Sequence, residues 1–240
     1  MENKLEVKGI IFDFGGTLDT DGNHWGEVLW EVYQHFNVFV TKNAFRDAYA
    51  HGERTLATRA LIQPHFHFID VLRTKLGIQL DYLIENGLLS MPSARRDRFV
   101  EAMAEYADDY TKRILEKSVS ILCRLKQKYK LVLVSNFYGN LYTVLQDASL
   151  LPLFDKIIES AVVGVRKPNP AIFALGVCAL DLPASEVVVV GDSFPKDMEP
   201  ARSLGCRTIW LKGGQWERQE WDCELVDVVV SGLAEIERYL

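Results

Sequence analysis

Apolar positions along this chain follow two patterns. Short runs, wholly apolar at 10–12, 131–134, 157–158 and 187–190 and largely so at 208–211 and 226–230, predict buried strands. A strand with one wet face alternates apolar and polar residues. An unbroken run means that both faces are covered, as in a parallel sheet lying between helices. Amphipathic segments separate several of the later runs, which predicts strand–helix alternation. Between 20 and 117 the pattern changes and no strand series appears. There Trp25, Val28, Leu29, Val32 and Phe36 recur at helical spacing, as do Phe99, Met103, Tyr106, Tyr110 and Ile114. The expected architecture is α/β: a parallel-sheet core formed by 1–19 and 118–240, with a helical domain over 20–117 inserted after the first strand.

Composition supports a packed core and narrows the partners. Of 240 residues, 48% are hydrophobic and 25% charged, the balance of a globular chain. The net charge of −6 argues against nucleic acid and against an anionic membrane surface, since phosphate-rich partners recruit clustered Lys and Arg. No apolar run approaches the ~20 residues of a bilayer span. The polar stretch 1–9 leads straight into the first strand, which predicts no secretory signal. Cys123, Cys178, Cys206 and Cys223 are scattered without a C-x-x-C pair, so reduced thiols and a cytoplasmic location are expected. All five histidines lie in the insertion. His65 and His67 would share a face only in a strand, and no acidic or Cys partner stands nearby at zinc spacing. Arg54 and Arg59 read as solvated helix residues ahead of anion contacts.

Four strand ends or loops carry chemistry. The first strand ends on Asp13, followed by Phe14-Gly15-Gly16-Thr17-Leu18-Asp19; ligands of parallel sheets bind at the carboxyl ends of strands. The second strand ends on Ser135-Asn136, a hydroxyl and an amide able to bond a phosphate oxygen. Lys167 sits in Arg166-Lys167-Pro168-Asn169-Pro170, where two prolines stiffen the loop and suggest a fixed charge for an anion. Asp192 and Asp197 follow the most apolar strand, as hard oxygen ligands suited to Mg²⁺. Each has a bland reading beside it. Strand-end Asp, Ser and Asn commonly cap the next helix or shape a turn, and a loop lysine is commonly only solvated.

The order of the four is more specific than any one of them. Asp on the first strand, Ser on the second, Lys before a helix, and Asp-x4-Asp after the fourth resembles the haloacid dehalogenase (HAD) superfamily. The resemblance spans the core. It extends to Leu150-Leu151-Pro152-Leu153-Phe154-Asp155 and Ala201-Arg202-Ser203-Leu204-Gly205. It implies a Rossmann-like core, and the insertion is similar to the family's helical C1 cap, which marks subfamily I. It further implies that Asp13 attacks phosphorus to form an aspartyl-phosphate. Mg²⁺ would be held by Asp13, the Gly15 carbonyl, Asp192 and Asp197. Lys167 would neutralise Asp13 and the phosphoryl group, and Ser135 with the Asn136 N–H would bind phosphate oxygens. The expected substrate is a small phosphorylated metabolite; oligomeric state is not legible.

One position departs from the pattern. Family phosphatases carry a second aspartate two residues after the nucleophile, as general acid and base, and here that position is Gly15. General acid–base catalysis contributes about 10²–10⁴-fold. The resemblance therefore leaves three readings. The first is a phosphatase with a substitute group, with Asp19, Asp21 and His24 nearby in sequence, or with a leaving group that departs unprotonated. The second is cleavage of a different bond: a phosphonatase-like C–P hydrolase using an insertion lysine, Lys42 or Lys75, or a metal-free dehalogenase, against which the Asp192/Asp197 pair argues. The third is a catalytically impaired phosphate or partner binder. A receiver domain gathers similar groups but is about half this length and has no such insertion.

Overall fold

A computed structural model of the chain describes residues 4–214, 216 and 221–240; the first three residues of the polar N-terminal stretch lie outside it. Each predicted apolar run is a strand: β1 (Gly9–Phe12), β2 (Lys130–Ser135), β3 (Lys156–Glu159), β4 (Val187–Gly191), β5 (Arg207–Leu211) and β6 (Val228–Val230). β6 starts only at Val228, after Asp227, whose carboxylate accepts from Thr208 N and Oγ1. All pairings are parallel, in the order β3-β2-β1-β4-β5-β6. From β1 the sheet grows in one direction through β2 and in the other through β4. The strand order switches there, which opens a crevice at the carboxyl ends of β1 and β4.

The period-two geometry of strands divides these runs between two cores. Ile10, Phe12, Leu131, Leu133, Val188, Val190 and Ile209 face one layer, against Leu122 and Leu125 of α4 (Ser93–Leu125) and Leu145 of α5 (Leu141–Asp147). Ile11, Val132, Val134, Val189 and Trp210 face the other, against Ile172, Phe173 and Leu180 of α7 (Ala171–Leu180). Both faces of the inner strands are dry, which is why the sequence shows continuous apolarity there, while Val229 on edge strand β6 is exposed. Two short helices, α6 (Ser160–Val163) and α8 (Glu199–Ser203), complete the layers.

The stretch between β1 and β2 is helical: α1 (Trp25–His35), α2 (Lys42–Thr58), α3 (Phe68–Glu85) and the 33-residue α4. Its starts are chemically marked. Thr41 caps α2 by accepting from the Ala44 N–H at 3.2 Å, and His67 with Asp70 forms a capping box for α3. These helices enclose their own core, including Leu29, Val32, Tyr33, Phe45, Leu76 and Met103. In α4 the dry face is Val100, Met103, Ala104 and Ala107, while Tyr106 is turned outward. Further along, the same helix gives Leu115, Ile121 and Leu122 to the sheet core, so one rigid element spans both clusters and runs through position 117. No helix among the described residues is long and apolar enough to cross a membrane.

Ile209 is fully buried on central strand β5. Ile209→Ala is expected to lower unfolding free energy by about 2–5 kcal/mol through lost transfer energy plus the cavity left behind. Urea titration checks it; a loss below about 1 kcal/mol would contradict the packing described.

Candidate active site

Asp13 is the first residue beyond β1 and its N–H donates to Val190 O at 3.0 Å, so the sheet ladder itself holds its backbone. Asp192 is the first residue beyond the adjacent β4. Two features hold it: Trp210 Nε1 donates to its carbonyl at 2.8 Å, and Thr17 Oγ1 donates to Oδ1 at 3.2 Å. Gly16 is required at this point. Its φ is +97°, and a Cβ there would stand 2.4 Å from an Asp192 carboxylate oxygen. Asp197 arrives from a π-helical turn, Phe194–Met198, and accepts from Ser193 N at 3.1 Å.

Carboxylate oxygens of Asp13, Asp192 and Asp197 lie within 4.8 Å of one another, and all three residues are buried. Lys167 answers this crowding of negative charge. Its Nζ is 2.7 Å from Asp13 Oδ1 and 2.6 Å from Asp197 Oδ1. The loop lysine is itself held. Asn136 Nδ2 donates to Lys167 O at 3.1 Å and Lys167 N donates to Asn136 Oδ1 at 2.9 Å, so the Asn136 side chain braces the lysine backbone. Phe173 lies 5.3 Å from the ammonium. Burial lowers the affinity of Lys167 for its proton, yet the two carboxylates outweigh that and raise its pKa. Burial, reinforced by the neighbouring carboxylates, pushes Asp192 well above its ordinary value. Asp197 is pushed up to about 6, by burial first and despite Lys167.

The donor set fits a hard divalent cation: several carboxylates, little water, and negative charge beyond what one ammonium neutralises. Asp13 Oδ2 and Asp192 Oδ2 are not committed to the bonds above, whereas both Asp197 oxygens have protein partners. Asp13, Gly15, Ser135, Asn136, Lys167, Asp192 and Asp197 all line one cavity of about 140 Å³. The residues singled out in the sequence therefore meet at one place.

The opposite wall belongs to the insertion: Trp25, Tyr49, Glu53, Phe68 and Lys75, with Tyr138 beyond β2. Sequence spacing did not single out Glu53, Tyr49 or Tyr138 because nothing local connects them. They meet through Lys75 Nζ, 2.7 Å from Glu53 Oε1, and through Tyr138 OH, which donates to Glu53 Oε2 at 3.1 Å. Thr17 and Trp210 were missed as supports of Asp192 for the same reason. Arg54 and Arg59 are exposed and do not line the cavity. His65 is exposed, and His67 pairs with Asp147 at 2.6 Å.

Of the candidates to stand in for the missing aspartate, Asp19 and Asp21 do not line the cavity. Asp19 is sealed beneath the loop, accepting from Gly16 N at 2.7 Å and Trp25 Nε1 at 2.8 Å; burial lifts its pKa to about 7. Asp21 Oδ1 accepts from Leu233 N. His24 lines the cavity, but Nδ1 caps α1 by accepting from Gly26 N at 2.9 Å, the ring stacks on Trp216, and burial with Lys196 lowers its pKa to about 4. Lys42 is tied to Glu27 at 2.7 Å, away from the cavity. Around Gly15, a Cβ would meet nothing within 4 Å.

Residues 7–205 match the family of haloacid dehalogenase-like hydrolases. The chain belongs to this family. Over 85 residues it is 36% identical to a glyceraldehyde 3-phosphate phosphatase of Methanocaldococcus jannaschii, covering 35% of this chain and 37% of that one. It is 30% identical over 151 residues to a pyrimidine 5'-nucleotidase of Escherichia coli, covering 62% and 64%. The chain thus spans about a third of the length of the first curated relatives it matches. A magnesium-bound HAD-hydrolase of Bacillus subtilis shares the fold at a TM-score of 0.59 and 18% identity, over 97% of this chain and 98% of that one.

Two outcomes follow. Lys167→Met removes the only ammonium contacting the carboxylate pocket among the described residues. In chelator at neutral pH it is expected to cost about 3–5 kcal/mol in urea titration; a change under about 1 kcal/mol would contradict the pairing. For Asp19, a folded pKa near 7 against an ordinary 3.8 means that the folded state binds the extra proton between those values. Its contribution to stability is therefore full below about pH 4 and lost as pH rises to about 7. Asp19→Asn should flatten the fall in stability between pH 5 and 7.5 relative to the unsubstituted protein. Equal slopes would contradict it.

Proposed function

We propose that this HAD-family protein is a Mg²⁺-dependent phosphatase of a small phosphorylated metabolite, working through an aspartyl-phosphate on Asp13. The observation that carries the reading is the Lys167 ammonium, within 2.7 Å of the Asp13 carboxylate in a cavity lined from both core and insertion. The substrate's phosphoryl group enters between Ser135, the Asn136 N–H and Lys167. Lys167 offsets the repulsion between an attacking carboxylate and a phosphate dianion. The free Asp13 oxygen attacks phosphorus in line, the bond to the leaving oxygen breaks, and water then cleaves the acyl-phosphate. Asp13, the Gly15 carbonyl and Asp192 would hold Mg²⁺, with Asp197 supporting through its bonds to Lys167 and Ser193. Bound there, the ion supplies positive charge to the transferring phosphoryl oxygens.

In this reading 1–19 and 118–240 form the core domain and 20–117 the cap that closes over it, excluding water. The cavity is smaller than the ~300 Å³ at which ordinary ligand pockets begin. That favours a phosphoryl group with a short carbon chain. Two names among the relatives, a glyceraldehyde 3-phosphate phosphatase and a phosphoserine phosphatase, point the same way, whereas a third, a pyrimidine 5'-nucleotidase, names a larger leaving group. A C–P hydrolase would need a neutral amine. Lys75 lines the cavity, and Glu53 beside it favours the ammonium form before any substrate has reacted, which favours the phosphatase.

A panel of short-chain phosphate monoesters with Mg²⁺ tests the reading. Phosphate release should fall to background in Asp13→Asn and in excess chelator. Release surviving either change, or absent for every ester, would sink it.

A further inference from the structure

Gly15 leaves the chemistry one proton short. An ester oxygen leaving phosphorus as an alkoxide needs a proton, and the water that follows must lose one. We propose that Lys75 of α3 fills this role, as the general acid–base group of the site; the inference rests on the phosphatase reading above. Three observations converge on Lys75. It is buried in the insertion wall of the cavity that Asp13 and Lys167 line from below. It is fixed there, with Glu53 Oε1 at 2.7 Å and the rings of Tyr138, Trp25 and Tyr49 at 5.5, 6.0 and 6.0 Å. And its ammonium carries three N–H bonds, more than its ion pair with Glu53 uses, so a ligand in the cavity can accept one.

The other groups on that wall are unsuited. Glu53 is kept ionised, burial being outweighed by Lys75 and Tyr138, with Lys75 Nζ 2.7 Å from Oε1 and Tyr138 OH donating to Oε2. Tyr138 spends its hydroxyl proton on Glu53. His24 is neutral, with Nδ1 committed to Gly26 N. Lys196 is exposed at the rim.

The protons balance over the cycle. In the first step an Asp13 oxygen bonds phosphorus, the bond from phosphorus to the ester oxygen breaks, and that oxygen takes a proton from the Lys75 ammonium to leave as the alcohol. In the second, water bonds phosphorus and gives a proton to the Lys75 amine. The bond from phosphorus to Asp13 breaks, releasing inorganic phosphate and restoring ammonium and carboxylate. Glu53 holds the nitrogen in place through both steps.

Leaving-group dependence is the test, because a proton donor matters for a poor leaving group and little for a good one. First-turnover release of the alcohol or phenol is compared for an alkyl phosphate and p-nitrophenyl phosphate. Lys75→Met and Lys75→Arg are made, the second keeping the charge and the pair with Glu53 but unable to give up a proton. Both should lose about 10²-fold or more on the alkyl ester and less than about tenfold in the first step on the aryl ester. Phosphorylated protein should accumulate with the aryl ester, seen by intact mass, because the second step has lost its base. Gly15→Asp, whose side chain has open space, should restore alkyl turnover to Lys75→Arg. Equal losses on both esters, full alkyl activity in Lys75→Arg, or the same selectivity in Lys196→Met would overturn the proposal. No release from any ester by the unsubstituted protein would instead overturn the phosphatase reading.

Discussion

Three carboxylates share a buried pocket with one ammonium, and the surrounding structure serves that arrangement. Asp13, Asp192 and Asp197 repel one another where little water screens them, and Lys167 sits between two of them at 2.6–2.7 Å. Neither charge set would persist there alone. The parallel sheet makes the arrangement possible by ending β1 and β4 side by side, so that Asp13 and Asp192 emerge from adjacent strands. Gly16 keeps the turn clear of the Asp192 carboxylate. Trp210 and Thr17 hold Asp192, and Asn136 holds the lysine loop. Negative charge still exceeds positive, and the proposed divalent cation site rests on this imbalance.

The helical insertion complements the pocket. It has its own hydrophobic core, yet α4 runs from that core into the packing against the sheet, so the two parts share a rigid strut. Its contribution to the cavity is a second ion pair, Lys75 with Glu53, reached from the core side by Tyr138. The Asp13 loop is tied to the insertion as well, through Asp19 and Trp25. Position of the wall and position of the Asp13 loop are therefore coupled by direct bonds.

The sheet was legible because strands buried on both faces leave unbroken apolar runs, and all six runs are strands. The pocket was legible because each polar group closes a run or sits in a stiff loop. Less could be read where contacts are purely tertiary. Nothing around Glu53 or Tyr138 announces that they meet over Lys75, and nothing around Thr17 announces a bond to a residue 175 positions away. The roles of nearby residues were also not readable. Asp19 and His24 stand close to Asp13 in sequence, but one lies sealed under the loop and the other caps a helix. Asn136 keeps its place in the site with a second task, since its side chain braces Lys167.

The central claim is that Asp13 is the nucleophile at the point where these charges meet. It is tested most directly by incubating the protein with Mg²⁺ and p-nitrophenyl phosphate, quenching in acid, and locating the phosphoryl group by peptide mass spectrometry. The account predicts a hydroxylamine-labile phosphorylated peptide with the modification on Asp13. A phosphoryl group on any other residue, or turnover with none trapped at any time after mixing, would contradict it.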